Sequence, residues 1–237
     1  MERSIEEYDF QKGEILLFDK ELDWTSFDLV RKLRNYLCRA TGVKKLKVGH
    51  AGTLDPKATG LMIVCTGKET MNIDLLQAKE KEYVATIKLG ATTPSYDRES
   101  AEDTFYPTDH LSLELVETTL NEFMGEIDQV PPIFSAVKVD GKRAYLSARK
   151  GNDIVLQPKK ITISELEVLN FSREEIVLRI VCSKGTYIRS LARDLGIALN
   201  SGAYLVGLRR TRIGEMKVAD AWDLQDFLTR ARAQAKR

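Results

Sequence analysis

The sequence is poor in metal ligands and in sulfur. Its three cysteines, Cys38, Cys65 and Cys182, lie far apart and form no C-x-x-C pair. That spacing supports neither a disulfide framework nor a zinc site. Cys65 and Cys182 each end an apolar run and read as buried thiols. Two histidines, His50 and His110, are too few for a metal cluster, so no metal is expected. No apolar stretch approaches the roughly 20 residues of a membrane helix; runs such as Leu61 to Cys65 are strand-sized. Met1 to Gln11 is acidic and polar, without the basic-then-apolar start of a secretory leader, so a cytoplasmic location is expected. The chain also has no P-loop, no G-x-G-x-x-G after a strand, no G-x-S-x-G elbow and no H-E-x-x-H. Chemistry built on those motifs has no foothold, and no cofactor is expected.

What is present is charge, unevenly distributed. The net charge is only +1, yet residues 31–50 hold seven Lys/Arg and no acid, whereas 97–128 hold ten Asp/Glu and a single Arg. Residues 138–160 return to seven basic against two acidic, and the last 35 residues carry eight against four. Such segregation can build a basic face that binds phosphates while acidic segments keep the molecule near neutral.

With 237 residues, 43% of them apolar, the chain can bury a substantial core. Ile15 to Phe18 reads as a strand. Thr25-Ser26 can cap a helix whose Phe27, Val30, Leu33 and Leu37 recur at helical spacing. Residues 40–60 are rich in Gly, Thr and Lys and read as a long loop, a length that is uncommon without a function. Leu61 to Cys65 is a buried strand candidate. Tyr83 to Leu89 alternates apolar and polar residues and is closed by Gly90. Residues 91–110 form a polar excursion. Leu113, Val116, Leu120 and Phe123 share a helical face that Gly125 can terminate. Ile133 to Val139 reads as a strand with Asp140-Gly141 as a turn, followed by strands Ile161 to Phe171 and Ile176 to Ser183. Thr186 can cap a helix through Leu199; a strand from Tyr204 to Arg212 and a short helix after Trp222 complete the chain. Many strands with few βαβ alternations favour an α+β fold around a mixed or antiparallel sheet, with no clear linker.

One loop residue combines chemistry with presentation. Asp55 precedes Pro56, which disfavours helical backbone at Asp55, and Gly49, Gly52 and Gly60 let the surrounding loop turn and be approached closely. A carboxylate offered to a large substrate fits that pattern; an ordinary Asp-Pro turn fits it as well. Arg189, after Gly185-Thr186-Tyr187-Ile188, can hold a carboxylate ionised and oriented, or make a structural pair with an acid such as Asp194. Tyr83 and Tyr187 can stack on an unpaired base or belong to the core. Lys20 ends a strand, where lysine is generally solvated, and can reach a phosphate.

The ordered set of motifs extends this reading. Gly49 to Pro56 with Ala58-Thr59-Gly60, Lys79 to Tyr83, Gln129-Val130-Pro131-Pro132 with Phe134 to Lys138 and Gly141, Arg143-Ala144-Tyr145, Ala148 to Gly151, Cys182 to Leu191, and Leu208 to Thr211 closely resemble, in order, the segments of bacterial tRNA pseudouridine-55 synthases of the TruB type. The resemblance covers residues 13–214. It implies the pseudouridine synthase fold: a mixed, mostly antiparallel central sheet with flanking helices and loops. It also implies an N-terminal extension over 1–12, a catalytic domain over 13–214, and a short helical tail over 215–237 in place of the C-terminal PUA domain that many relatives carry.

That resemblance implies isomerisation of the T-loop uridine of tRNA, at position 55, to pseudouridine by base flipping, with assistance to tRNA folding as a further role. Asp55 would be the essential acid in breaking and remaking the glycosidic bond at carbon-5; whether it attacks first or removes a proton stays open. Arg189 would pair with Asp55, Tyr83 would stack on the uracil and serve proton transfer, and Tyr187 and Leu208 would shape the pocket. His50 would fill the space the flipped nucleotide leaves. Lys20 would support the site, and Lys138 and Arg149 would contact RNA. The expected partner is the T-arm stem-loop, bound by a monomer without a guide RNA. Two segments depart from the family pattern: Lys20-Glu21-Leu22-Asp23-Trp24-Thr25-Ser26 stands where K-P-x-G-x-T-S is usual, and Met71 follows Thr70 where a lysine is usual. An RNA chaperone without catalysis and a guide-dependent enzyme are the competing readings.

Overall fold

Strand Ile15–Lys20 alternates half-buried and buried residues and pairs antiparallel with Ala58–Thr66, Ile15 facing Cys65 and Lys20 facing Gly60. The computed structural model describes residues 7–133, the backbone of 138–139 and 142–143, and 156–234, with side chains through Ala231. Of the expected strand Ile133 to Val139, Ile133 is in a bend, 134–137 lie outside the described residues, and Lys138–Val139 pairs with Lys142–Arg143. Ala144-Tyr145, the Ala148 to Gly151 segment and the Asp140-Gly141 turn also fall outside.

The chain divides into two units, Met1–Lys81 with Arg209–Arg237, and Glu82–Leu208. Composition carried no sign of this division, because the boundary falls inside a strand (Ala203–Ile213) and beside the start of another (Lys81–Leu89) rather than in a linker.

In the first unit, Ala58–Thr66 lies between Ile15–Lys20 and the end of Ala203–Ile213. Val48–His50 joins Ala58–Thr66, and Met216–Lys217 joins Arg212–Ile213. Ala51, Leu61, Ile63, Cys65, Leu76 and Ile213 form its core, with Ile15 and Leu17 against it. Helix Ser26–Thr41 begins at a full capping box: Thr25 Oγ1 accepts from Asp28 N at 3.0 Å, and Thr25 N donates to Asp28 Oδ2 at 3.3 Å. It buries Ser26, Leu29, Val30, Leu33 and Leu37. Phe27 belongs to the opposite, solvent side. Helix Leu224–Gln234 follows Trp222, with Phe227 edge-on to Phe18 at 5.3 Å.

The second unit takes the first residues of Ala203–Ile213, then Lys81–Leu89, Glu175–Cys182, Lys159–Phe171 and Gly125–Gln129 in order across its sheet. The registers of the last three strands are antiparallel. Helix Ile188–Ala198 buries Ile188, Leu191, Ala192 and Leu195. Gly196 lets it close on the following strand, since a Cβ there would lie 2.3 Å from Ala203 N. The fold is α+β, a mixed sheet with flanking helices.

Three local expectations need correction. The long 40–60 loop is interrupted by Val48–His50 and ends where Ala58–Thr66 begins, because both segments find strand partners. Thr186 does not cap the following helix: Tyr187 is its N-cap, and Thr186 Oγ1 donates instead to Ser183 O at 3.0 Å. In helix Leu113–Leu120, Val116 and Leu120 are buried but Leu113, in the first turn, is 44% exposed. Phe123 lies in a separate short 3-10 turn, and Gly125 opens a strand instead of ending the helix.

Candidate active site

Pairing of His50 with Val64 and of Gly60 with Lys20 trims the Asp55 segment to Ala51–Lys57 and fixes both its ends. Three buried groups hold the intervening backbone. Ser26 Oγ donates to Leu54 O at 3.1 Å and accepts from Leu54 N at 2.9 Å. Arg210, 1% exposed, donates from Nε to Leu61 O at 2.8 Å, from Nη2 to Gly52 O at 3.1 Å and from Nη1 to Thr53 O at 3.5 Å. Lys20 donates from Nζ to Glu21 O at 2.8 Å, Trp24 O at 2.7 Å and Pro56 O at 3.4 Å. Buried carbonyls need donors, and here two cations supply them on either side of Asp55.

Close packing beneath the loop depends on Gly60. Its φ is +106°, and a Cβ there would fall 2.2 Å from the Arg210 carbonyl oxygen. Any other residue would force strands Ala58–Thr66 and Ala203–Ile213 apart. The neighbouring Arg209 faces elsewhere and clasps Asp19 with both terminal nitrogens, at 2.6 and 3.0 Å.

Lys20 is fully buried, contrary to the solvated habit of a strand-end lysine. Burial brings its ammonium down to about 8, with Asp55 and Asp23 opposing the shift and Arg210 adding to it. Asp23 takes the place of the family glycine at φ +64°, the left-handed region, and pairs with Lys57 at 2.6 Å. Its backbone N donates to Pro56 O at 2.9 Å. The replaced residue therefore keeps the turn that glycine would make, at a modest conformational cost.

His50 ends strand Val48–His50, half-buried. Burial, and then the charge of Arg210, hold its imidazole below the usual histidine range, so the neutral ring prevails at pH 7. Its Nδ1 is buried and finds no hydrogen-bond partner among the described residues.

In the second unit Tyr83 is buried near the start of strand Lys81–Leu89. Arg189 is 7% exposed in the first turn of helix Ile188–Ala198, with Nη1 3.6 Å from Asp97 Oδ2. Asp97, 4% exposed, also accepts from Ser95 Oγ at 2.6 Å and Glu99 N at 2.9 Å. The candidate structural partner Asp194 pairs instead with Arg193, at 2.6 Å. Tyr187 is gripped through its backbone by the buried Gln129 amide. Leu208, half-buried, closes the unit on strand Ala203–Ile213. The side chain of Lys138 and all of Arg149 lie outside the described residues.

The first unit thus sets Lys20 against the segment that carries Asp55 and places His50 just before that segment, and the second holds Arg189 and Tyr187 at one helix start. Sequence reasoning did not single out Arg210, Gln129 or Asp97. The first two lie inside recognised motifs; Asp97 opens the acid-rich stretch 97–128, where nine other acids of similar appearance mask it. The charge pattern survives folding: Arg31, Arg34, Arg39, Lys44, Lys45 and Lys47 are exposed in the first unit, and Glu114, Glu117, Glu122 and Asp128 in the second.

Comparison with known proteins places this geometry. The family model for "TruB family pseudouridylate synthase (N terminal domain)" matches residues 39–188, and that for "tRNA pseudouridylate synthase B C-terminal domain" matches 189–236. A protein of Phocaeicola vulgatus named tRNA pseudouridine synthase B is 58% identical over 218 residues, 92% of this chain and 93% of its own length. One of the same name from Bacteroides fragilis is 60% identical over 218 residues, 92% of this chain and 94% of that protein. Among solved structures, a chain of a Cbf5-Nop10-Gar1 complex superposes with a TM-score of 0.68 at 28% identity, covering 93% of this chain and 54% of that one. A chain of an H/ACA RNP bound to a substrate RNA containing 2'-deoxyuridine gives 0.66 at 26% identity, over 93% and 53%. This chain spans about half the length of those solved chains. It belongs to the TruB family of pseudouridylate synthases.

Proposed function

We propose that this chain isomerises the T-loop uridine of tRNA, at position 55, to pseudouridine. The observation that carries the reading is identity of 58–60% across 92% of the chain with proteins named tRNA pseudouridine synthase B. The geometry supports it through a carboxylate, Asp55, on a short segment whose backbone is held by Ser26, Arg210 and Lys20. A rigidly held acid is what catalysis requires, since misplacement by about 1 Å can cost on the order of 100-fold in rate.

In this reading the target nucleotide flips out of the T-loop, and the cost of unstacking it is lowest in an already exposed loop. Asp55 acts as an ionised carboxylate, on the ribose or the base, while the N1–C1′ bond breaks and the uracil rotates. The C5–C1′ bond then forms, the C5 proton leaves to solvent or a nearby base, and N1 takes up a proton in its place. Atoms balance within the nucleotide, so the step needs no oxidant or carrier. Arg189 keeps the acid ionised and oriented, Tyr83 stacks on the uracil and serves the proton transfer, and Tyr187 and Leu208 shape the pocket. Neutral His50 fills the vacated place in the loop, Lys20 braces the site, and Lys138 and Arg149 contact RNA. The catalytic domain is proposed to span 13–214, the remaining 215–237 being a short helical tail. The enzyme is proposed to act in the cytoplasm as a monomer on the T-arm, without a guide RNA, and to help tRNA fold.

The decisive experiment incubates the protein with unmodified tRNA and with a bare T-arm stem-loop, then maps pseudouridine. Product at the T-loop uridine of both RNAs is expected; none at any T-loop uridine overturns the reading. Asp55→Asn should fold and bind tRNA without turnover. Full activity in that variant would remove Asp55 from the chemistry.

A further inference from the structure

Helix Ser26–Thr41 presents a face that its own packing does not use. The buried side is Ser26, Leu29, Val30, Leu33 and Leu37. Phe27, Arg31 and Arg34 stand at positions i, i+4 and i+7, a spacing that places them in one row on the solvent side. Phe27 is 63% exposed in the first turn. The Arg31 guanidinium carbon lies 5.7 Å from the ring centroid, and Nη2 of the same side chain bonds Asp28 Oδ1 at 3.0 Å. Asp28 is itself fixed in the capping box. Ring and guanidinium are therefore set beside each other, with the ring still largely open to solvent.

Charge selects the kind of partner. From Arg31 to His50 there are seven basic residues and no acid. Arg34, Arg39, Lys44, Lys45 and Lys47 are all exposed, so the ring and the Asp28-paired Arg31 stand beside a run of exposed basic residues suited to a polyanion. An open aromatic ring beside arginines adds what a purely ionic surface lacks, a platform on which an unpaired base stacks. Position links this face to the catalytic segment. Ser26, the residue before Phe27, is bonded in both directions to the backbone of Leu54, the residue before Asp55.

We infer that the Phe27–Arg31–Arg34 face is an RNA-docking surface, on which an unpaired base of the substrate stacks on Phe27 while Arg31 and Arg34 hold neighbouring phosphates. The inference rests on the proposed tRNA activity and adds to it a binding surface separate from the target-base pocket. Its role is to fix the RNA in register with Asp55 through the Ser26–Leu54 bonds.

The test measures binding of an unmodified tRNA transcript, and of heparin, by the intact protein and by Phe27→Ala, Phe27→Trp and Arg34→Ala, with salt varied. Phe27→Ala should weaken tRNA binding on the order of tenfold and leave heparin binding unchanged. Phe27→Trp should retain tRNA affinity. Arg34→Ala should weaken both and lower the slope of log affinity against log salt by about 1. Wild-type affinity for tRNA in Phe27→Ala, or equal losses of tRNA and heparin, would overturn the stacking surface. An unchanged salt slope in Arg34→Ala would remove the phosphate contact. Pseudouridine formation by the wild-type protein, assayed alongside, separates the two failures. If it modifies tRNA and Phe27→Ala binds normally, only the docking surface falls; if it makes no pseudouridine, the activity itself falls.

Discussion

The side-chain amide of Gln129 and the main chain of Tyr187 hold each other in both directions. Tyr187 N donates to Gln129 Oε1 at 2.8 Å, and Gln129 Nε2 donates to Tyr187 O at 3.1 Å. Tyr187 is the N-cap of helix Ile188–Ala198, has no capping side chain of its own, and precedes Arg189 by two residues. An amide 58 residues away thus sets the start of the helix that carries the arginine. Ser190 Oγ, donating to Val130 O at 2.8 Å, ties the same two segments one step further on.

Substitution of Gln129 by Leu keeps the volume and removes both bonds. Gln129 is 2% exposed and Tyr187 half-buried, so loss of both bonds should cost about 1–3 kcal/mol of stability. Gln129→Glu retains the acceptor and should recover part of it. Urea unfolding of the three proteins checks this; equal midpoints would show that the clamp carries no weight. Turnover should fall further than stability explains, because Arg189 loses its fixed starting point.

Arg210 makes a sharper case, because two of its three bonds end on the backbone just before Asp55, at Gly52 and Thr53, rather than on the carboxylate. Arg210→Met should reduce kcat by at least about tenfold with little change in KM, through loss of the orientation on which the acid depends. Arg210→Lys keeps the charge but not the fork, and should recover stability more than turnover. Steady-state kinetics with thermal melting decide between the two roles. A variant whose kcat returns to wild type whenever it is folded would leave Arg210 as scaffold alone.

Lys20 carries a pH signature. Its folded value near 8 lies below the ordinary 10.5, so between these limits the unfolded chain holds more protons than the folded one. Unfolding free energy from this group therefore rises with pH across that window, is fully penalised below about 8, and is free of the penalty above 10.5. Lys20→Met removes the titration. Denaturation of both proteins from pH 7 to 10.5 should show a stability difference that is flat up to about pH 8 and then drifts in favour of the wild type. A difference that is constant throughout would show that Lys20 titrates normally.

How much was legible beforehand follows the range of the interactions. Strand Lys81–Leu89, helix Ser26–Thr41 and the terminal helix Leu224–Gln234 were readable because alternation, 3.6-residue spacing and the Thr25 cap act within a few positions. Strand Val48–His50 was not, since a tripeptide with glycine at its centre becomes a strand only by pairing with Val64 to Thr66. Asp55 was readable from its proline, its glycines and the ordered motifs around it.

By itself, then, the order of residues determined the α+β class, the cysteine and charge patterns, and which carboxylate to suspect. Tertiary structure decided what holds that carboxylate. Arg210 reaches Gly52 from 158 positions away and Ser26 reaches Leu54 from 28. Lys20, on a strand end that reads as exposed, is closed over by the Pro56 segment. Burial and hydrogen-bond partners are properties of the places where distant segments meet, and local patterning carries no record of those meetings.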